Sequence, residues 1–118
     1  MQVIKERTKT VRDREGRRET CEGQLRRMCK NIAEEITSGG QIGGVHDFME
    51  GVYDIEWITH NDHTYKAARL MVAGGGPSVW VNLLGNTVDG YWWGDHCKVP
   101  FSDNLGLDDY LEELHSSK

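Results

Sequence analysis

The chain has 118 residues, 37% of them apolar, with four Trp, four Tyr, two Phe and 14 Gly; this suits one folded domain with a modest core and many turns. It contains no apolar run of the roughly 18 residues that a membrane span needs, and its first residues lack the apolar stretch of a signal peptide, so a soluble, cytoplasmic protein is expected. The net charge of −5 hides a division: residues 1–30 hold ten Lys/Arg against five Asp/Glu, whereas residues 31–118 hold four against fourteen, a balance of −10. An acidic body repels phosphate backbones, which disfavours direct nucleic-acid binding, and it attracts basic protein surfaces, including those that normally hold nucleic acid. Acidity that serves only solubility is the simpler alternative. Three cysteines, Cys21, Cys29 and Cys97, form no C-x-x-C pair, and their odd number argues against a disulfide framework, as in a reducing compartment.

In chain order, residues 1–19 are dense in charge and almost without apolar periodicity, and read as a basic flexible arm or a frayed helix start. From about Arg17 the pattern changes. Leu25, Met28, Cys29, Ile32, Ala33 and Ile36 recur at the spacing of one helical stripe, closed by Gly39-Gly40 at the C-cap. Cys29 within the stripe reads as a small core residue rather than a nucleophile. A loop follows, with a short helical turn expected at 45–50.

Two hairpins come next. In "YDIEWITHNDHTYKAARLMVA" a two-residue Asn61-Asp62 turn sets Ile55 opposite Ala68, Trp57 opposite Lys66 and Asp54 opposite Arg69, with Tyr53, Ile55, Trp57, Ala68, Leu70 and Val72 on one face. Three- or four-residue loops are the alternatives. In "SVWVNLLGNTVDGYWWG" a Gly85-Asn86 turn sets Val79 opposite Trp92 and Val81 opposite Gly90. Val79, Val81, Leu83, Val88 and Trp92 then face the core, and Gly90 leaves a notch where a helix can pack closely. Trp80, Asn82, Asp89, Tyr91 and Trp93 take the other face. Finally, Leu107, Tyr110, Leu111 and Leu114 mark a second amphipathic helix, with Asp108 and Asp109 in its first turn and His115 in its last. The expected fold is α+β: an N-terminal helix, a four-stranded antiparallel β-meander and a C-terminal helix, forming a single domain over 20–118.

Chemistry-bearing motifs are few. "AGGGPSV" at 73–79 has the glycines of a phosphate loop, but no Lys-Ser/Thr follows, Pro77 lacks an N–H and a strand rather than a helix comes next, so it reads as a plain connection. His46, His60, His63, Asp95 and His96 fall at strand ends or in loops. They would form a Zn or Mn site of a small metal-dependent hydrolase or nuclease if they converged, although no pair has a ligand spacing such as H-x-x-x-H. A Cys97–His96 catalytic pair is disfavoured because neighbours on a strand point apart, and Cys97 with His46 has nothing else in its support. No cofactor is implied. What remains is the face carrying Trp80, Asn82, Asp89, Tyr91 and Trp93, with Asp95 beside it: aromatic residues suited to a protein interface and flanked by acids rather than by the Lys and Arg that base stacking on nucleic acid requires. Either this face is exposed, or the C-terminal helix or the 39–50 loop folds over it as a second core layer.

The stretches "ARLMVAGGGPSVWVN" and "VDGYWWGD" resemble a pattern found in small uncharacterised proteins of phages and conjugative elements in Gram-positive gut bacteria, over roughly residues 52–114. The resemblance carries no catalytic residues. It implies a setting in which small acidic proteins inhibit host defence, as anti-CRISPR proteins do, many of them by binding a nucleic-acid channel. The expectation is therefore a non-enzymatic protein-binding module, an inhibitor of a host protein or ribonucleoprotein complex, with no membrane partner; a regulatory protein whose basic N-terminal arm binds nucleic acid is a further alternative.

Overall fold

A computed structural model describes residues 10–12, 18–40 and 44–117. Its elements follow the order β1 (Thr10–Arg12), β2 (Arg18–Thr20), α1 (Cys21–Thr37), α2 (Gly44–Glu50), β3 (Asp54–Thr59), β4 (Tyr65–Ala73), β5 (Ser78–Asn82), β6 (Thr87–Trp92), β7 (Asp95–Pro100) and α3 (Leu107–Ser116). Strands β3 to β7 form one antiparallel meander of five strands, and β1 and β2 form a separate two-stranded ladder. The class is α+β, as expected, but the sheet has five strands, not four. Strands β1 and β2 lie largely within the segment read as an arm or frayed helix start; the rest of 1–19 lies outside the described residues.

Helix α1 forms where its apolar stripe requires it. Leu25, Cys29, Ala33 and Ile36 are buried, with Met28 and Ile32 half-buried beside them. The helix ends at the expected glycines: Gly39 and Gly40 have φ of 89° and 79°, and Gly40 N donates to Glu35 O at 2.9 Å. In α3, Leu107 and Leu111 are fully buried. Asp103 caps this helix from outside. Its Oδ1 accepts from the N–H of Gly106 and Leu107 at 3.1 and 2.9 Å, and its Oδ2 from that of Asp108 at 3.0 Å, so one carboxylate satisfies three otherwise orphaned donors.

The faces of β4, β5 and β6 match the alternation read from the sequence, but Tyr53, read onto the core face, lies before β3 and is 74% exposed, and both hairpin registers differ by two residues. Ile55 pairs with Leu70 and Trp57 with Ala68, where Ala68 and Lys66 were expected. The cause lies in the connection. His60 O accepts from His63 N at 2.9 Å and His63 has φ of 70°, which makes a three-residue loop closed by a left-handed residue; a bulge between Ile58 and Thr59 adds the second step. The Asp54–Arg69 pair is accordingly replaced by Glu56–Arg69, with Nη1 and Oε1 2.6 Å apart. Between β5 and β6 the expected two-residue Gly85-Asn86 turn is a four-residue loop, because Leu83 N still donates to Ala68 O of β4 and Asn82 Oδ1 accepts from Leu84 N. Gly90 therefore lies opposite Val79, not Val81, and Val79 not opposite Trp92.

The additional strand, β7, is paired to β6 through a two-residue turn between Trp92 and Asp95. Trp93 and Gly94 have φ of 56° and 89°, both positive as a type I′ turn demands. Trp93 is therefore not on a strand face beside Trp80 and Tyr91: it projects from the turn, 65% exposed. Trp92 is half-buried rather than fully buried, its ring near the β4–β5 connection, where a Cβ at Gly76 would lie 3.9 Å from Trp92 Nε1. Among the described residues, the three helices pack on one side of the sheet. The core is built from α1 and α3 residues with Leu70, Val79, Val81, Val88 and Cys97, while Val45, Phe48 and Met49 of α2 pack against it.

Candidate functional site

Cross-strand pairing organises the opposite side of the sheet into rows. One row runs Glu56, Arg69, Asn82, Thr87, Pro100; the next Asp54, Met71, Trp80, Asp89, Lys98; a third Ser78, Tyr91, His96. These residues alternate with the buried core positions of the same strands, so their side chains point away from the helices. No described helix covers this face, and neither α3 nor the described part of 39–50 forms the second core layer considered above.

The face is ordered by its own contacts. Arg69 Cζ lies 4.5 Å from the Trp80 ring centroid, a cation–π arrangement, while its guanidinium also pairs with Glu56. Trp80 Nε1 donates to Ser78 Oγ at 3.1 Å, which fixes the ring across β5. Tyr91 and His96 stack with centroids 4.8 Å apart and planes 7° from parallel. Between these aromatic groups Asp89 is only 4% exposed, and its Oδ1 accepts from Thr87 Oγ1 at 2.9 Å. Tyr91 itself is 42% exposed. The result is a largely preformed surface of rings and alternating charge, whose side chains would lose little freedom on binding.

Of the binding residues expected from the sequence, Trp80, Asn82, Asp89 and Tyr91 share this face. Trp93 occupies the adjoining β6–β7 turn. Asp95, cross-strand from Trp92, takes the helix side of the sheet. Sequence reasoning missed Arg69, Lys98 and the role of His96. The signal for the latter two was the alternation of Cys97 and Val99 with His96 and Lys98 in "DHCKVP", obscured because Trp-Gly is not a usual turn dipeptide.

The residues of the metal alternative are dispersed. His46 on α2 sits edge-on to Tyr110 at 5.4 Å; His60 and His63 are in the β3–β4 loop; His96 and Asp95 are on β7. Strands β3 and β7 are opposite edges of the sheet, four interstrand steps or about 19 Å apart. Among the described residues no group of three or more His, Cys, Asp or Glu is placed to hold a metal ion. The Gly-rich segment joins β4 to β5, two strands, and not a strand to a helix N-terminus.

Two other polar arrangements lie outside this face. Tyr65 Oη donates to Asp108 Oδ1 at 2.7 Å; burial first, and then this acidic acceptor, push the phenol above its ordinary range. Asp62 Oδ1 accepts from Thr64 Oγ1 and N at 2.6 and 3.1 Å, which holds its carboxyl below the usual value. Both have structural uses, in docking α3 and closing the β3–β4 loop.

No protein-family model, curated protein or solved structure matches this chain. Among the described residues no helix is long and apolar enough to cross a membrane.

Proposed function

We propose that this protein is a non-enzymatic binding module that engages a protein partner through the helix-free face of its sheet, with Trp80, Tyr91 and His96 as aromatic contacts and Asn82, Asp89, Arg69 and Lys98 as polar ones. The observation that carries the reading is one-sided packing: the three described helices use the same side of the sheet, yet the other side holds fixed aromatic groups. Aromatic and Arg side chains carry a disproportionate share of binding energy at interfaces. The acidic balance of residues 31–118 favours a partner with a basic surface. Together with the resemblance of "ARLMVAGGGPSVWVN" and "VDGYWWGD" to mobile-element proteins, this points to a host complex that handles nucleic acid, with the module acting as its inhibitor.

The test is capture from a lysate of a Gram-positive gut bacterium, with wild type and a Tyr91→Ala/His96→Ala variant whose fold is checked by circular dichroism. A specific partner retained by wild type and lost by the folded variant supports the reading, whereas an identical set of retained proteins would remove this face from consideration. A captured complex whose nucleic-acid binding is unaffected by the protein would argue against inhibition.

A further inference from the structure

Two thiols meet in the core beneath β6. Cys29 of α1 is fully buried and Cys97 of β7 is 2% exposed, and both are free. Gly90 brings them together: it is the cross-strand partner of Cys97, and a Cβ at residue 90 would stand 2.6 Å from Cys29 Sγ. Phe101 N donates to Asn86 O in the same ladder, and counting back by twos makes Gly90 and Cys97 a hydrogen-bonded pair, with Cα atoms about 5.5 Å apart. Cys29 Sγ, lying over Gly90, is thus about one strand spacing from Cys97, and both belong to the same buried cluster. Such a disposition puts the two sulfurs on facing, packed elements with only the side-chain-free Gly90 beside them, the proximity that a bridge requires.

We propose that Cys29 and Cys97 are a disulfide-forming pair, a modification site that covalently fastens helix α1 to the edge strand β7 when the protein folds in the presence of a disulfide oxidant. With oxidised glutathione the exchange balances. One protein thiolate attacks the glutathione disulfide and releases a first glutathione thiolate, which takes up the proton lost by the protein thiol. The second protein thiolate then attacks the protein sulfur of the mixed disulfide and releases the second glutathione. Two protein S–H groups become one S–S bond, and one glutathione disulfide becomes two thiols.

The folded core also protects the reduced pair. Burial, and then the neighbouring Cys97, push the Cys29 thiol up to about 12, so the nucleophilic thiolate is scarce while α1 is seated. Exchange therefore runs while α1 is away from the sheet, during folding or transient opening, and the state of the pair records the redox conditions of folding. Once formed, the bridge closes a long loop and resists separation of α1 from β7.

The experiment uses the full chain carrying Cys21→Ser, which removes the third cysteine. The protein is unfolded, refolded with oxidised or reduced glutathione, and analysed by intact mass, peptide mapping and thermal melting. The expected result is the loss of two hydrogens and a linked peptide joining residues 29 and 97. The melting temperature should rise by about 5 °C or more, and this should reverse on reduction. Folded reduced protein given the same oxidant should form the bridge more slowly than refolding protein. Mixed glutathione adducts or intermolecular dimers without the 29–97 peptide would overturn the proposal, as would a bridge that lowers the melting temperature.

Discussion

Cys29 of α1 fills the place that a side chain at residue 90 would occupy: a Cβ on Gly90 would stand 2.6 Å from Cys29 Sγ and 2.8 Å from Leu25 Cδ1. Glycine inside a strand ordinarily costs about 0.5–1 kcal/mol relative to alanine. Here the close approach of the helix reverses the sign. Gly90→Ala is expected to destabilise the domain by about 1–3 kcal/mol through overpacking. Denaturant unfolding of Gly90→Ala, Cys29→Ala and the double variant checks it, with the double variant less stable than wild type by clearly less than the two single losses combined.

Asp103 accounts for three backbone donors at the start of α3. Asp103→Ala should cost about 1–2 kcal/mol. Amide hydrogen exchange should accelerate most at Leu107 and Asp108, and retained protection at those two amides would contradict the capping role.

His63 adopts φ of 70° in the β3–β4 loop. A left-handed conformation costs a non-glycine residue about 1–2 kcal/mol, while glycine gives back about half of that through unfolded-state entropy. His63→Gly is therefore expected to stabilise the protein by about 0.5–1 kcal/mol. Equilibrium unfolding against wild type decides the sign.

Tyr65 should ionise later than an ordinary tyrosine, because burial and its hydrogen bond to Asp108 favour the neutral phenol. A phenol whose folded pKa lies above its unfolded value of 10.0 contributes stability that is complete below pH 10 and lost as pH rises past it. Asp108→Asn removes the acceptor's charge and should bring Tyr65 back towards 10.0. Ultraviolet titration of tyrosinate reads both effects, and an unchanged midpoint in Asp108→Asn would show that burial alone causes the shift.

The β-strand faces were legible in the sequence because side chains alternate with period two. From Asp54 to Ile58 and along β5 and β6 the pairing is displaced from the simplest one by two residues, and an even displacement leaves those side chains on their own faces. Leu70, Val79, Val81 and Val88 are thus in the core as their pattern predicts, although each faces a different partner. The notch at Gly90 was legible for the same reason. So were α1 and α3, whose apolar stripes and terminal residues are local signals.

Partnership required the folded chain. The Glu56–Arg69 pair depends on a three-residue loop and a bulge, neither encoded by a single residue type. Strand β7 depends on Trp93 accepting a φ of 56°, a conformation that local rules give to glycine or asparagine and that the pairing of β6 with β7 imposes. Whether the C-terminal helix or the 39–50 loop would also cover the other face was likewise undetermined, since amphipathic stripes specify that a helix is buried but not against which side of a sheet. Alternation of residues determined the two faces by itself; loop lengths and the packing of α1 over Gly90 decided the partners, because register and helix placement are settled by contacts distant in the chain.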